Sequence, residues 1–445
     1  MMLFDTMLAA LEEIFLKHEK DLSLRERSQN FFVNRDLRGR AALVWDEGSL
    51  ERMSADEQAR LGMLCTDIAT TLEKHAFPAS RMPILAAAPF ATEKEGAIAF
   101  TYGERFPYTV VDRMLTESSW SIRSGREELF QDGCMTNLSR KMVVFSSIKG
   151  CVGRSTALAA AAWYFAQLGK KVMVVDMDLE SPGLSSSLLP EDRRPEYGLL
   201  DWLVEDVVGN GDAIQDSLWG TSPLADGSQG EIVVIPAHGK RYGNYIAKMG
   251  RAWMPRMDEG KRIPWPRRLL GLLQELDNRY APECVLIDAR AGLNETASVS
   301  VLDLAPRLVL LFAMQDIQTW TGYSILFEHW KSIGQNKDIR QSLQMVAAMI
   351  PLLEDKSAYI ESMRENAWNC FMNCLYDNIS DKHTDRNYTF SFDRNDTEAP
   401  HSPWIIYWNQ IFSSIQKLYT INHTIDAAQI QGTFPFILNF EKCFF

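Results

Sequence analysis

Long hydrophobic runs are missing from this sequence. No stretch of its 445 residues approaches the roughly 20 apolar residues needed to cross a bilayer, so no membrane-spanning helix is expected. Positive charge is also short: 46 Lys and Arg stand against 58 Asp and Glu, a formal net charge of −12. So acidic a chain does not coat nucleic acid or an anionic membrane with its whole surface, and any such contact must be local. Cysteine is sparse and unpatterned. The seven residues at 65, 134, 151, 284, 370, 374 and 443 are odd in number and share no repeated spacing, which speaks against a disulfide framework. Cys370 and Cys374 lie one helical turn apart, but no paired CxxC or neighbouring histidine cluster completes a zinc set. The opening segment, MMLFDTMLAALEEIFLKHEK, lacks the basic start and small-residue cleavage site of a secretory signal. Its apolar spacing, broken by Asp5, Glu12 and Glu13, predicts an amphipathic helix, and a cytoplasmic location is expected. No internal repeat is found.

The composition, 46% hydrophobic with 12 Trp, is that of a globular protein with substantial cores. At about 150 residues per domain, the length predicts two or three domains. Residues 1–140 carry helix candidates at 2–19 and 55–75, the second opening with Ser54 and Glu57 in capping-box spacing. Short β-rich runs at 41–45, 83–88 and 97–102 complete a small α+β domain with no chemistry-bearing motif. From residue 141 the texture changes to apolar strands alternating with helices, at 142–147, 172–176, 231–236, 284–288, 307–314 and 343–350. That alternation predicts an α/β domain over 141–355 with a doubly wound, mostly parallel sheet. The polar stretches 209–230 and 378–402 read as surface loops. Residues 356–445 form a helical and aromatic extension, with a helix candidate around WIIYWNQIFSSIQKLY and the tail TFPFILNFEKCFF, expected to pack on the preceding domain or on a partner.

The strongest motif is KGCVGRST at 149–156, which follows a buried strand and opens a helix, the context a phosphate loop requires. Small residues at Gly150, Cys151, Val152 and Gly153 let backbone amides converge on phosphate oxygens, and the helix start adds its positive end. Arg154 adds a fixed charge. Ser155 is placed to offer its hydroxyl to Mg²⁺ and Thr156 to touch an α-phosphate oxygen. Downstream, VVDMDLESPGL puts Asp176 and Asp178 just beyond a strand end, at the sheet edge where open parallel sheets bind ligands. One of the two can anchor the metal shell and the other can orient water. VLIDARAGL leads apolar residues into Asp288, the pattern of a carboxylate that holds Mg²⁺ through water.

With these three segments in order, residues 140–355 resemble the ParA/MinD family of deviant-Walker P-loop ATPases, whose loop reads KGGxGK followed by Ser or Thr. The resemblance implies ATP and Mg²⁺ as cofactors and phosphoryl transfer to water as the reaction. It implies that Lys149 is the signature lysine reaching a partner's phosphates across an ATP-sandwich dimer, and that Asp178 is the switch aspartate positioning the attacking water. Self-association with ATP and at least one protein partner follow, in a specialised bacterial multi-protein system such as antiviral defence. Two positions depart from the family's loop. Cys151 replaces the second glycine, and Arg154 replaces the usual lysine with a planar fork. A low-turnover ATPase is therefore expected, with a nucleotide-binding scaffold of negligible hydrolysis as the alternative.

Between 240 and 268, nine basic residues face only Asp258 and Glu259. They read as a solvated face or, in a DNA-partition ATPase, as a surface for nucleic acid. The tail has Lys442 as its only basic residue and contains Pro435, a poor match to a basic amphipathic membrane anchor. His238, beyond a strand end, reads as a structural hydrogen-bonder.

Overall fold

The computed structural model describes residues 2–86, 97–116, 118–121, 130–131, 134–351, 355–377, 389–414, 417–423 and 426–444. The chain divides into two compact units, Met1–Ser124 and Gly125–Phe445, so the first ends somewhat before the boundary expected near residue 140.

The first unit is α+β. Its strands are β1 (Phe31–Arg35), β2 (Ala41–Asp46), β3 (Ile84–Ala86), β4 (Ala97–Tyr102) and β5 (Tyr108–Arg113), ordered β3-β2-β1-β5-β4 in one sheet. Helices Met7–Leu22 and Ala55–Leu72 bury their apolar stripes on it, with Phe15, Phe31, Trp45 and Leu64 in the core. The capping box is present: Glu57 N–H donates to Ser54 Oγ, and Ser54 N–H to a Glu57 carboxylate oxygen. Two of the five strands, β1 and β5, fall on segments where no strand is expected. A two-stranded ribbon, β6 (Phe130–Gln131) and β7 (Cys134–Met135), opens the second unit.

The second unit is built on an eight-stranded sheet. Its strands are β8 (Met142–Ser147), β9 (Lys171–Asp176), β10 (Gly220–Thr221), β11 (Glu231–Ile235), β14 (Cys284–Asp288), β15 (Leu308–Ala313), β16 (Leu343–Ile350) and β17 (Trp404–Tyr407). A hairpin of β12 (Arg256–Asp258) and β13 (Lys261–Ile263) stands apart from it. The order is β10-β11-β9-β14-β8-β15-β16-β17, and only the β10–β11 pairing is antiparallel. From β8 the chain runs first toward β9 and β11, then returns to place β15, β16 and β17 on the other side. β8 therefore lies at the reversal of strand order, where such sheets open a ligand crevice at their carboxyl ends.

Helix Arg154–Gln167 covers one face beside β8. Ala157 to Ala162 are wholly buried, and a run of small side chains lets the helix axis lie close to the sheet. The helix ends at Gly169, φ +80°, where the amides of Gly169 and Lys170 donate to Ala166 and Phe165 carbonyls, a left-handed stop.

The C-terminal segment belongs to the same core. Trp404–Tyr407, expected as part of a helix, extends the sheet as β17 beside β16; its β-branched and aromatic residues suit a strand. Helix Phe436–Phe444 docks Phe440 against Phe165, ring centroids 4.9 Å apart at 87°, and Phe436 against Phe145 at 6.3 Å. Tyr164 donates to Glu441 at 2.9 Å. The polar stretch 209–230 is less irregular than expected, holding helix Asp212–Gln215, strand β10 and a 3-10 turn at Pro223–Ala225; 378–388 of the other stretch lie outside the described residues. Among the described residues no helix is long and apolar enough to cross a membrane.

Candidate functional site

Register places the site. Asp288, at the end of β14, stands level with Asp176 of β9 on one side and with Phe145 of β8 on the other. Met177 N–H donates to the Asp288 carbonyl, and Ala289 N–H to that of Phe145. The carboxyl ends of three neighbouring strands and the start of helix Arg154–Gln167 thus converge.

The loop between β8 and this helix ends on Gly153, φ +76°, a left-handed residue of the kind glycine adopts without penalty. The amides of Arg154, Ser155 and Thr156 come first in the helix and have no intrahelical acceptor, which leaves the positive end of the helix facing the strand ends. Cys151 is exposed and also left-handed, φ +61°, a conformation costing roughly 1–2 kcal/mol for a residue bearing a Cβ. Lys149 is half-exposed, its ammonium 3.8 Å from Asp316 at the start of helix Ile317–Ser332.

Arg154 is enclosed. Its Nε donates to Asp288 Oδ1 at 2.6 Å and one terminal nitrogen donates to Ser147 Oγ at 3.1 Å. The other lies 3.7 Å from Asp178 Oδ2. Burial opposes its charge, but the Asp288 carboxylate more than compensates, and the guanidinium pKa is raised further. Ser155 Oγ donates to the second Asp288 oxygen at 2.6 Å, so the hydroxyl and carboxylate expected to hold a metal are brought together. Asp178 accepts from the Ser181 amide and hydroxyl at 3.2 and 2.9 Å.

Asp176 is the most deeply buried of the three aspartates. It is fully buried and accepts from the Ser185 hydroxyl at 2.6 Å, the Ser185 amide at 3.0 Å and the Asp178 amide at 3.2 Å. Burial first, and the neighbouring Asp288 charge second, push its pKa up to about 7. Ser185 in turn accepts from Ala237 N–H at 2.9 Å. Asp176 is thereby tied to the loop that follows β9 through the Ser185 and Asp178 donors.

A pocket of about 230 Å³ opens beside these groups, lined by Ser155, Thr156, Asp178, Ser181, Leu184 and Asp288 among others. Ser147, Ser181, Ser185 and Asp316 were not singled out in the sequence. Asp316 lies beyond the end of β15 (Leu308–Ala313) and caps the helix that follows, and that position after an apolar strand was its signal; the serines carry none.

Part of the basic stretch is paired with acids elsewhere in the fold, while Lys240, Arg241, Arg251 and Lys261 are exposed. Arg268 is buried and donates to the carbonyls of Leu203, Ala252 and Met254 and to Asp206. Arg256 also pairs with Asp206, Lys248 with Asp201 and Arg241 with Glu196. The neutralising acids lie at 196–206, outside the stretch itself. His238 donates through Nδ1 to the Gly239 carbonyl at 2.9 Å.

No family model matches the chain, and no curated protein does. Among solved structures the chain is similar to a ParA family ATPase from Chlorobium tepidum, at 14% identity and a TM-score of 0.41, over 68% of this chain and 98% of that one. It is similar to the cell division ATPase MinD of Pyrococcus furiosus, at 21% identity and a TM-score of 0.33, over 48% of this chain and 74% of that one. A Cyanothece McdA variant in complex with ATP is similar at 14% identity and a TM-score of 0.41, over 67% and 95%. The α/β architecture with a phosphate-type loop at its strand-order reversal is carried by the strands and residues described above, independently of these likenesses.

Proposed function

We propose that this chain is a nucleoside-triphosphate-binding switch, with ATP the expected nucleotide, and that it hydrolyses ATP slowly. The observation that carries the proposal is the convergence of free helix-initial amides, Arg154, Ser155 and Asp288 at the carboxyl ends of adjacent parallel strands. A helix start with a fixed cation beside it suits a phosphate group.

Ser155 Oγ and the Asp288 carboxylate are hard oxygen donors 2.6 Å apart, a donor set that fits Mg²⁺. Bound there, the metal would neutralise charge on the phosphate oxygens. The chain's own residues supply the rest. Loop amides hold the phosphates, Arg154 offers a two-pronged donor, and Asp178 stands at the pocket wall to orient water. Lys149, half-exposed beside the loop, is the residue we assign to a partner copy's phosphates. The nucleotide state is thereby read out as self-association and recruitment of another protein.

A second reading has its own support. Asp178 is engaged by Ser181 and lies near Arg154, an arrangement that suits a nucleotide held as a structural ligand without turnover. Phosphate release by wild type and Asp178→Ala separates the two. Turnover abolished in the variant, with ATP still bound, supports the ATPase; wild type releasing no phosphate above a Ser155→Ala control supports the scaffold.

A further inference from the structure

Arg154 engages the same groups that would hold a metal. One Asp288 oxygen accepts from its Nε at 2.6 Å and the other from Ser155 Oγ at 2.6 Å, so the Arg154 cation sits directly on the carboxylate. The guanidinium is 8% exposed and its partner carboxylate 2%. Ser147 Oγ fixes one terminal nitrogen, and Asp178 flanks the other. This is a built internal ion pair, with its own hydrogen-bond acceptor on β8, and no fraying surface contact.

We propose that Arg154 makes divalent-cation binding conditional on nucleotide: its guanidinium holds Asp288 until a phosphate draws it away, so that the metal cannot enter first. The proposal rests on the phosphate-loop reading above. Arg154 holds Asp288 through a single hydrogen bond from Nε, and a phosphate can accept parallel bonds from the planar fork, so an arriving nucleotide offers Arg154 a competing partner. A divalent cation alone offers it none. It would meet a fixed positive charge beside Asp288, in surroundings where charges are weakly screened.

The test uses Mn²⁺ as the probe and follows the free-ion electron paramagnetic resonance signal with the full-length protein. Without nucleotide, wild type should leave the signal undiminished. With a non-hydrolysable ATP analogue it should take up one Mn²⁺ per chain beyond the amount that the same analogue binds without protein. Arg154→Gln should take up Mn²⁺ without nucleotide, at least tenfold more tightly than wild type. If Arg154→Gln does not fold, Ser147→Ala removes only one acceptor of the guanidinium, and its nucleotide-free uptake should exceed that of wild type. Equal Mn²⁺ uptake by wild type with and without the analogue would overturn the proposal, as would no uptake with the analogue bound. Analogue binding is followed separately by fluorescence in a chelator. If the analogue does not bind at all, the phosphate-loop reading fails, which distinguishes that failure from failure of the gating step.

Discussion

Arg154 and Asp288 stand 134 positions apart in the chain and meet through a 2.6 Å hydrogen bond at the carboxyl ends of two adjacent strands. Both side chains are buried. Removing one partner of such a pair leaves an uncompensated buried charge, which costs about 3–5 kcal/mol, whereas replacing both by apolar groups is often nearly neutral. Arg154→Met and Asp288→Leu should each lower the urea midpoint strongly, and the double variant should be more stable than either. A double variant as unstable as the sum of the two would contradict this.

Lys149 is half-exposed and 3.8 Å from Asp316, an ion pair of the kind worth roughly 0–1 kcal/mol. Lys149→Ala should therefore leave stability within about 0.5 kcal/mol and retain most ATP binding. Sedimentation should show the loss of ATP-dependent self-association. One mass for wild type with and without ATP would remove the dimer role.

Cys151 adopts φ +61°, where glycine is at ease. Cys151→Gly relieves roughly 1–2 kcal/mol of backbone strain but adds freedom to the unfolded chain. The net stabilisation should be under about 1 kcal/mol, while ATP affinity rises because backbone can approach phosphate more closely. Calorimetry showing weaker ATP binding would count against this.

Phe440 is wholly buried against Phe165 and Phe145. Phe440→Ala should cost about 3–5 kcal/mol, read from the thermal melt. A loss below about 0.5 kcal/mol would mean that the tail helix is not part of this core.

His401 is buried between two partners. Its Nε2 donates to the Arg394 carbonyl at 3.1 Å and its Nδ1 accepts from the Tyr376 hydroxyl. Burial holds its pKa below the ordinary value, so the unfolded chain binds the proton more readily. The corresponding stability is present above about pH 6.5 and is lost as pH falls through the folded-state value. Wild type should lose urea resistance between pH 7.5 and 5.5, and His401→Gln should lose less over that range. Equal slopes would refute the assignment.

Much of the second unit was legible because parallel strands covered on both faces are continuous apolar runs. All six strands expected there are present, from Met142–Ser147 to Leu343–Ile350, with ends shifted by at most a residue. What escaped was non-local. Trp404–Tyr407 becomes a strand because β16 offers it an edge, and nothing within WIIY distinguishes that from a helix turn. In the first unit, β1 and β5 are likewise held by pairing with each other and with β2 and β4. At the site, the loop and strand-end aspartates were legible from spacing. The hydrogen bonding of Asp176 depends on Ser185, and the pairing of Lys248, Arg256 and Arg268 depends on Asp201 and Asp206; contacts between separate segments have no local signal.

The central claim is that the loop at 149–156 binds a nucleoside triphosphate. Calorimetric titration of ATP with Mg²⁺ into wild type, Ser155→Ala and Thr156→Ala tests it most directly. The account predicts one site per chain in wild type and affinity at least about tenfold weaker in Ser155→Ala, the loss of roughly one charge-assisted contact. No saturable binding by wild type, or the same affinity in all three proteins, would contradict it.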